Sequence, residues 1–254
     1  MAGATAHGLP AGAGTGTGAA WTHTLSRAGR RLARFDMDLD LAAWHMTLVL
    51  GSVRLSQKLS KLHREHSGAW AREDPAMAFL CMCAASVVGA SYSVALSPAS
   101  LSLGGVLASL AWGGLLGVLW FVASGVACAS AVWWALEHLG RDRPAGGVEW
   151  AFCFDLHCKG CVPLLLVAAA HLLLLPVMAA GWAGGAASNC FFALAVLLYW
   201  GAVDVGARAL PQLEGRGPTS LLLPGAVALV AAVVASLAGA DLMLEAASAF
   251  AVSF

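Results

Sequence analysis

Three stretches of the chain contain no Asp, Glu, Lys or Arg: Pro75 to Leu136, Gly160 to Val203, and Gly217 to Ala240. A helix needs about 20 apolar residues to cross the hydrocarbon of a bilayer, so each stretch can hold at least one span. The first is long enough that it must fold back, and Ser97-Pro98-Ala99-Ser100 supplies turn chemistry for doing so. It divides into a span over 77–96 and a longer one over 103–136. The second divides at Gly181-Trp182-Ala183-Gly184-Gly185, giving spans near 162–180 and 188–205, and the third is a single span over 219–240. The pattern predicts an all-α integral membrane protein, a five-span transmembrane helix bundle with an N-terminal cytosolic amphipathic helical segment.

That segment lies ahead of the first span. Between residues 35 and 74, Leu41, Trp44, Leu48, Leu55, Leu59 and Leu62 recur at helical spacing, with Arg54, Lys58 and Lys61 on another face. The arrangement predicts a helix that rests on the membrane surface, packs against the bundle, or does both. Residues 1–34 read as a disordered, increasingly basic lead, because the first twenty are largely Gly, Ala and Thr without the apolar core of a secretory signal. The bundle itself occupies 75–254.

Composition agrees with the spans: 59% of the 254 residues are hydrophobic and 11% charged, with a mean hydropathy of +0.77. The formal net charge is zero, and the placement of the charges is more informative than their sum. Nine of the fourteen Lys and Arg residues precede the first span, three lie between spans two and three, and two between spans four and five. None falls in the turn at Pro98, the turn at Gly184, or the tail after Ala240. Since cytosolic loops retain Lys and Arg, five spans place the N-terminus in the cytosol and the tail on the opposite side. The basic N-terminal segment lacks interleaved surface aromatics, so topology rather than nucleic-acid binding accounts for its charge.

Chemistry concentrates in Val148 to Pro163, VEWAFCFDLHCKGCVP. Cys158 and Cys161 have CxxC spacing, with Cys153 and His157 nearby, a combination suited to zinc. A structural zinc site needs four ligands, and no second CxxC or CxxH occurs in the other cytosolic loops. Cys81, Cys83, Cys128 and Cys190 lie in spans, where cysteine serves as a small apolar residue, and the same role is expected of the CxxC. Glu149, Asp155 and His157 could ligate a metal in an intramembrane hydrolase. A small channel or transporter is the other alternative, with His171 and Pro176 inside the third span as its markers. A lone histidine there can also be satisfied by a neighbouring Ser, Asn or carbonyl. Asp204 and Arg208 have the spacing of an i,i+4 ion pair at a helix end. Gly113 and Gly117 form a small-xxx-small surface suited to close packing within the chain. No nucleophile with its base, no phosphate-binding glycine loop and no cofactor motif is present, so the expectation is a protein without catalytic activity or cofactor.

Two segments carry a family resemblance. Phe35 to Met46, FDMDLDLAAWHM, followed by Trp70-Ala71-Arg72-Glu73-Asp74-Pro75, resembles the opening cytosolic block of the uncoordinated-fifty family of Golgi multi-pass membrane proteins. Val148-Glu149-Trp150, then Phe154-Asp155-x-His157, then Pro163-Leu164-Leu165, resembles its second signature, and order, spacing and five-span layout agree from about Phe35 onward. The resemblance implies Trp44, Trp70, Arg72, Asp74, Pro75, Glu149, Trp150, Phe154, Asp155 and His157 as signature or interaction residues. It leaves Cys158 and Cys161 as local departures from the family pattern. It further implies residence in Golgi membrane, with endoplasmic reticulum membrane as a second location, association with large guanine-nucleotide exchange factors for Arf GTPases, and support for transport of membrane cargo that includes nicotinic-type receptors. On the residues themselves, Trp44, Trp70 and Trp150 suit the headgroup layer. Asp74 and Pro75 suit the cap and first position of a helix. The expected arrangement folds the block around Trp44 to Trp70 against a polar loop, Glu149 to His157, to form one cytosolic face.

Overall fold

The computed structural model describes residues 37–52, 54–56, 58–59, 61–62, 74–97, 102–138, 148–178, 181–210 and 220–250. The predicted lead at 1–34, Trp70, Arg72 and the turn at Pro98 lie outside them. The described residues form helices and no strands: α1 (Leu39–Gly51), α2 (Ala76–Leu96), α3 (Leu103–His138), α4 (Trp150–Met178), α5 (Gly181–Ala207), a 3-10 turn (Ser220–Leu222), α6 (Leu223–Ala238) and α7 (Leu242–Ser248). Helices α2 to α5 are each long and apolar enough to cross a membrane; α6 and α7 supply a fifth span if the bent pair is counted as one. The 36 residues of α3 extend about 54 Å at 1.5 Å per residue, well beyond a hydrocarbon layer of about 30 Å.

The starts of α1 and α2 have a shared local cause. Asp38 opens α1 by accepting the Leu41 N–H at 2.9 Å, and its own N–H donates to Asp74 Oδ2 at 3.0 Å. The other oxygen of Asp74 accepts the Ala76 N–H at 3.0 Å, so one carboxylate ties the beginnings of α1 and α2 together. Pro75 stands at the cap position, one residue earlier than expected, and Asp74 caps from just outside it. The amphipathic segment is not one continuous helix: it stops at Ser52, which is extended, and helical residues resume at Arg54. Gly51 and Ser52 are weak helix formers and account for the break. Ala42, His45 and Val49 form the buried face of α1, which packs on α2 and α4. The predicted stripe, with Leu41 and Trp44, faces outward, and Trp44 is 50% exposed.

Glycines bring α2 and α3 together. A Cβ on Gly89 would collide with the Gly113 carbonyl, and one on Gly117 with the Ala85 carbonyl. The Gly113/Gly117 pair therefore serves packing within the chain. Helix α4 occupies the centre, against α1, α2, α3 and α5. It begins twelve residues ahead of the expected span and runs through Pro163 and Pro176. Pro163 looks like a helix start in sequence, but membrane helices tolerate an internal proline where neighbouring helices re-satisfy the backbone. Helix α5 likewise begins at Gly181 rather than Ser188. Gly181 has φ +69°, and Gly184 lies so close to the Met178 carbonyl that no side chain fits. The expected fifth span is broken: α6 ends at Gly239, φ +75°, and α7 departs at 97°.

Adding a methyl group where two helices touch should outweigh the helix propensity it gains. Gly117→Ala is expected to destabilise the detergent-solubilised protein by about 1–3 kcal/mol through overpacking. Gly104→Ala has no heavy atom within 4 Å of the new Cβ and should be neutral or stabilising by up to about 1 kcal/mol. Equal thermal shifts for the two variants would contradict this packing.

Candidate functional site

The predicted polar loop Glu149 to His157 is, from Trp150 onward, the first turns of α4. Asp155 and Lys159 made the segment look too polar for a span, yet they are one helical turn apart and form an ion pair at 2.9 Å. Their side chains are 13% and 4% exposed, so the pair enters the bundle as a unit.

The entrance to α4 is held from α3. Trp133 Nε1 donates to the Val148 carbonyl at 2.9 Å, and the Val148 N–H donates to Glu137 Oε2 at 3.2 Å. Glu149 lies just ahead of the helix and its carbonyl accepts the Phe152 N–H at 3.1 Å. Trp150 donates to Ser130 Oγ at 3.0 Å and stacks on Phe154, ring centroids 5.6 Å apart. The Trp150 indole is thus bound to α3.

One turn further, His157 is buried. Its Nδ1 lies 2.8 Å from the Tyr199 hydroxyl of α5, and its Nε2 3.3 Å from Cys161 Sγ. Phe121 and Phe154 surround the ring, at centroid distances of 5.1 and 5.8 Å. Gly125 of α3 makes room, since a Cβ there would stand 2.9 Å from His157 Cδ2. Gly160 does the same for Tyr199, whose Cδ2 a Cβ would approach to 2.7 Å. Cys158 and Cys161 are buried alongside, and Cys81 Sγ lies 3.6 Å from the Cys158 carbonyl. Among the described residues no three His, Cys, Asp or Glu side chains converge as a metal set. Asp155 turns to Lys159 and His157 to Tyr199.

The signature residues therefore divide. Phe152, Cys153 and Leu156 join Ala42 and Val49 in one core, so the described part of the N-terminal block does fold against the start of α4. The surface this creates does not include His157, which points inward, contrary to the expectation. Among the described signature residues, Trp44 is the one that faces outward. Asp204 and Arg208 form the predicted ion pair, with the Asp204 side chain 2% exposed. His171 is also satisfied internally, by Tyr92 of α2 and, as foreseen in kind, by a serine, Ser188 of α5. Sequence reasoning missed Tyr92 and Tyr199, the only two tyrosines of the chain, each hydrogen-bonded to one of the two buried α4 histidines. Their scarcity in so apolar a chain is the signal that could have marked them.

The pattern of the UNC-50 family matches residues 28–250. The chain belongs to the UNC-50 family. Among UNC-50 proteins, it is 24% identical over 193 residues to the protein unc-50 homolog of Dictyostelium discoideum, covering 73% of this chain and 72% of that one. It is 28% identical over 199 residues to protein unc-50 of Caenorhabditis elegans, covering 75% of this chain and 62% of that one, so it spans less than two thirds of the worm protein. The human protein unc-50 homolog is 27% identical over 201 residues, with coverage of 73% and 71%. No solved structure matches the chain.

Removing the Tyr199 hydroxyl leaves His157 Nδ1 without its closest partner. Tyr199→Phe is expected to cost about 1–3 kcal/mol. Trp44→Ala, on the exposed face, should stay within about 0.5 kcal/mol. Thermal unfolding in detergent compares the two, and a larger loss for Trp44→Ala would reverse the assignment of core and surface.

Proposed function

We propose that this UNC-50 protein resides in the membranes of the early secretory pathway, chiefly the Golgi, and acts there as a non-catalytic adaptor. In this reading it binds an Arf guanine-nucleotide exchange factor on its cytosolic side and supports transport of membrane cargo. Family membership over residues 28–250 is the observation that carries the proposal. The distribution of Lys and Arg supports a cytosolic N-terminus, which puts α1 and the start of α4 on the side where such a factor is found.

The contact belongs on α1. One face of that helix is fixed to the bundle through Ala42, His45 and Val49, which leaves Leu41 and Trp44 displayed on a rigid support. Exposed apolar residues on a held helix suit recognition of a protein partner, and a central tryptophan is a typical anchor of such interfaces. Cargo, by contrast, meets the lipid-facing sides of the spans.

The test is recovery of an identified Arf exchange factor with the tagged full chain from mild detergent, comparing wild type with Leu41→Ala/Trp44→Ala. The wild type should retain the factor and the double variant should lose at least tenfold of it while remaining in Golgi membranes. Equal recovery would remove the contact from α1, and no recovery with either would refute the adaptor role.

A further inference from the structure

A second polar centre lies deeper in the bundle, away from the signature core. It is a single file of hydrogen bonds joining α2, α4, α5 and the start of α7. The Tyr92 hydroxyl is 2.9 Å from the Ala168 carbonyl and 2.8 Å from His171 Nδ1. His171 Nε2 is 2.8 Å from Ser188 Oγ, and Ser188 Oγ is 2.6 Å from Asp241 Oδ1. His171 and Ser188 are wholly buried, Tyr92 nearly so, and Asp241 is half-buried at the bend between α6 and α7.

Counting hydrogens gives the file its meaning. It has four links, and both ends, a carbonyl and a carboxylate, can only accept. Tyr92, Ser188 and a neutral His171 bring one hydrogen each, which makes three. A fourth proton is needed to occupy every link. With it on His171, the imidazolium donates to Tyr92 and Ser188, Tyr92 donates to Ala168, and Ser188 donates to an ionised Asp241. With it on Asp241, the carboxyl donates to Ser188, Ser188 to His171 Nε2, and His171 Nδ1–H to Tyr92. The two arrangements interconvert by shifting one proton at each of the two links of Ser188, with no change in total charge. Without the fourth proton one link must fail.

We propose that Tyr92, His171, Ser188 and Asp241 form one binding site for a proton, shared between His171 and Asp241 through Ser188 and exchanged with solvent at the bend beside Asp241. Asp241 also caps α7, accepting the Leu244 N–H at 2.8 Å, and Asn189 holds the same bend through the Ala240 carbonyl at 2.7 Å and the Leu242 N–H at 2.8 Å. The proton therefore sets how firmly α7 is seated on α2 and α5. Seated, α7 places Met243 and Ala247 in the wall of an apolar cleft of about 560 Å³.

Other groups near the site do not complete the count. Phe191 of α5 presents a ring 5.8 Å from that of His171, and Ser236 of α6 is engaged with Asn189 and the Ala232 carbonyl. Glu245 of α7 and Cys190 of α5 are exposed, and α2 and α4 bring only Tyr92 and His171 from among their titratable side chains to the file.

The test compares wild type with Asp241→Asn in lipid nanodiscs. The asparagine amide nitrogen can donate to Ser188 without ionising, at the cost of the Leu244 N–H bond that the same Asp241 oxygen accepts, so a neutral His171 then completes all four links. Wild-type thermal stability should fall as pH rises through release of the fourth proton, because the folded state holds one proton more than the unfolded one. The unfolding constant should change by up to about tenfold per pH unit, an effect complete on the acid side by about pH 6.5, where unfolded histidine also protonates. Asp241→Asn should lack this fall; its His171 stays neutral while an unfolded histidine protonates, so the variant should instead lose stability as pH drops below about 6.5. A wild type without the fall at rising pH, or a variant that retains it, would overturn the proposal. Should the variant not fold, spectra of isotope-labelled histidine and aspartate in the wild type decide independently. An imidazolium facing a carboxylate, or an Nδ1-protonated ring facing a carboxylic acid, supports the site. A neutral His171 beside an ionised Asp241 at neutral pH refutes it.

Discussion

Hydrocarbon offers no water to a buried polar group, so whatever polar chemistry a central helix carries has to find partners among the helices around it. Helix α4 meets that constraint twice, through His157 with Tyr199 and through His171 with Tyr92 and Ser188. In both places small residues let the partners approach. Gly125 and Gly160 make room for the rings around His157, and the glycine contact of α2 with α3 fixes the neighbour that carries Tyr92. Asp155 and Lys159 satisfy the same constraint within a single turn. The position of α4 thus follows from matching polar partners across an apolar bundle.

A functional division comes from this. Residues of the family signature that face inward maintain the bundle, and in the proposed adaptor role Trp44, which faces outward, meets the partner. Helix α1 unites the two roles, because its Ala42, His45 and Val49 face belongs to the α4 core while its Leu41 and Trp44 face does not. A substitution at His157 that weakened partner binding would therefore act through stability, whereas one at Trp44 acts at the surface itself. The UNC-50 chain thus holds its signature core at the start of α4 and the His171 file toward the α6/α7 bend.

Much of this was legible in sequence. The charge-free stretches located the spans, and the α2 range of 76–96 lies within one residue of expectation, since a membrane helix announces itself by composition. The break between α4 and α5 was also legible, through its glycines. What sequence hid was pairing. The start of α4 looked like a loop because Asp155 and Lys159 count as two charges in a hydropathy pattern but behave as one neutral unit in the helix. Gly181 to Gly185 looked like a turn, although only its first residue has the turn conformation and the rest begin α5. The bend after α6 is invisible to hydropathy, yet Gly239 followed by Asp241 reads, in hindsight, as a C-terminal glycine and a new N-cap. The histidine partners lie 42 and 79 residues away for Tyr199 and Tyr92, and no local pattern connects them.

The central claim is that the segment from Phe152 to Cys161 is a buried helix held by its polar partners. Amide hydrogen exchange of the protein in nanodiscs tests it most directly. Exchange across Phe152 to Cys161 should be as slow as in the Leu164 to Ala170 portion of the same helix. Exchange there at the rate of an open surface loop would contradict the account.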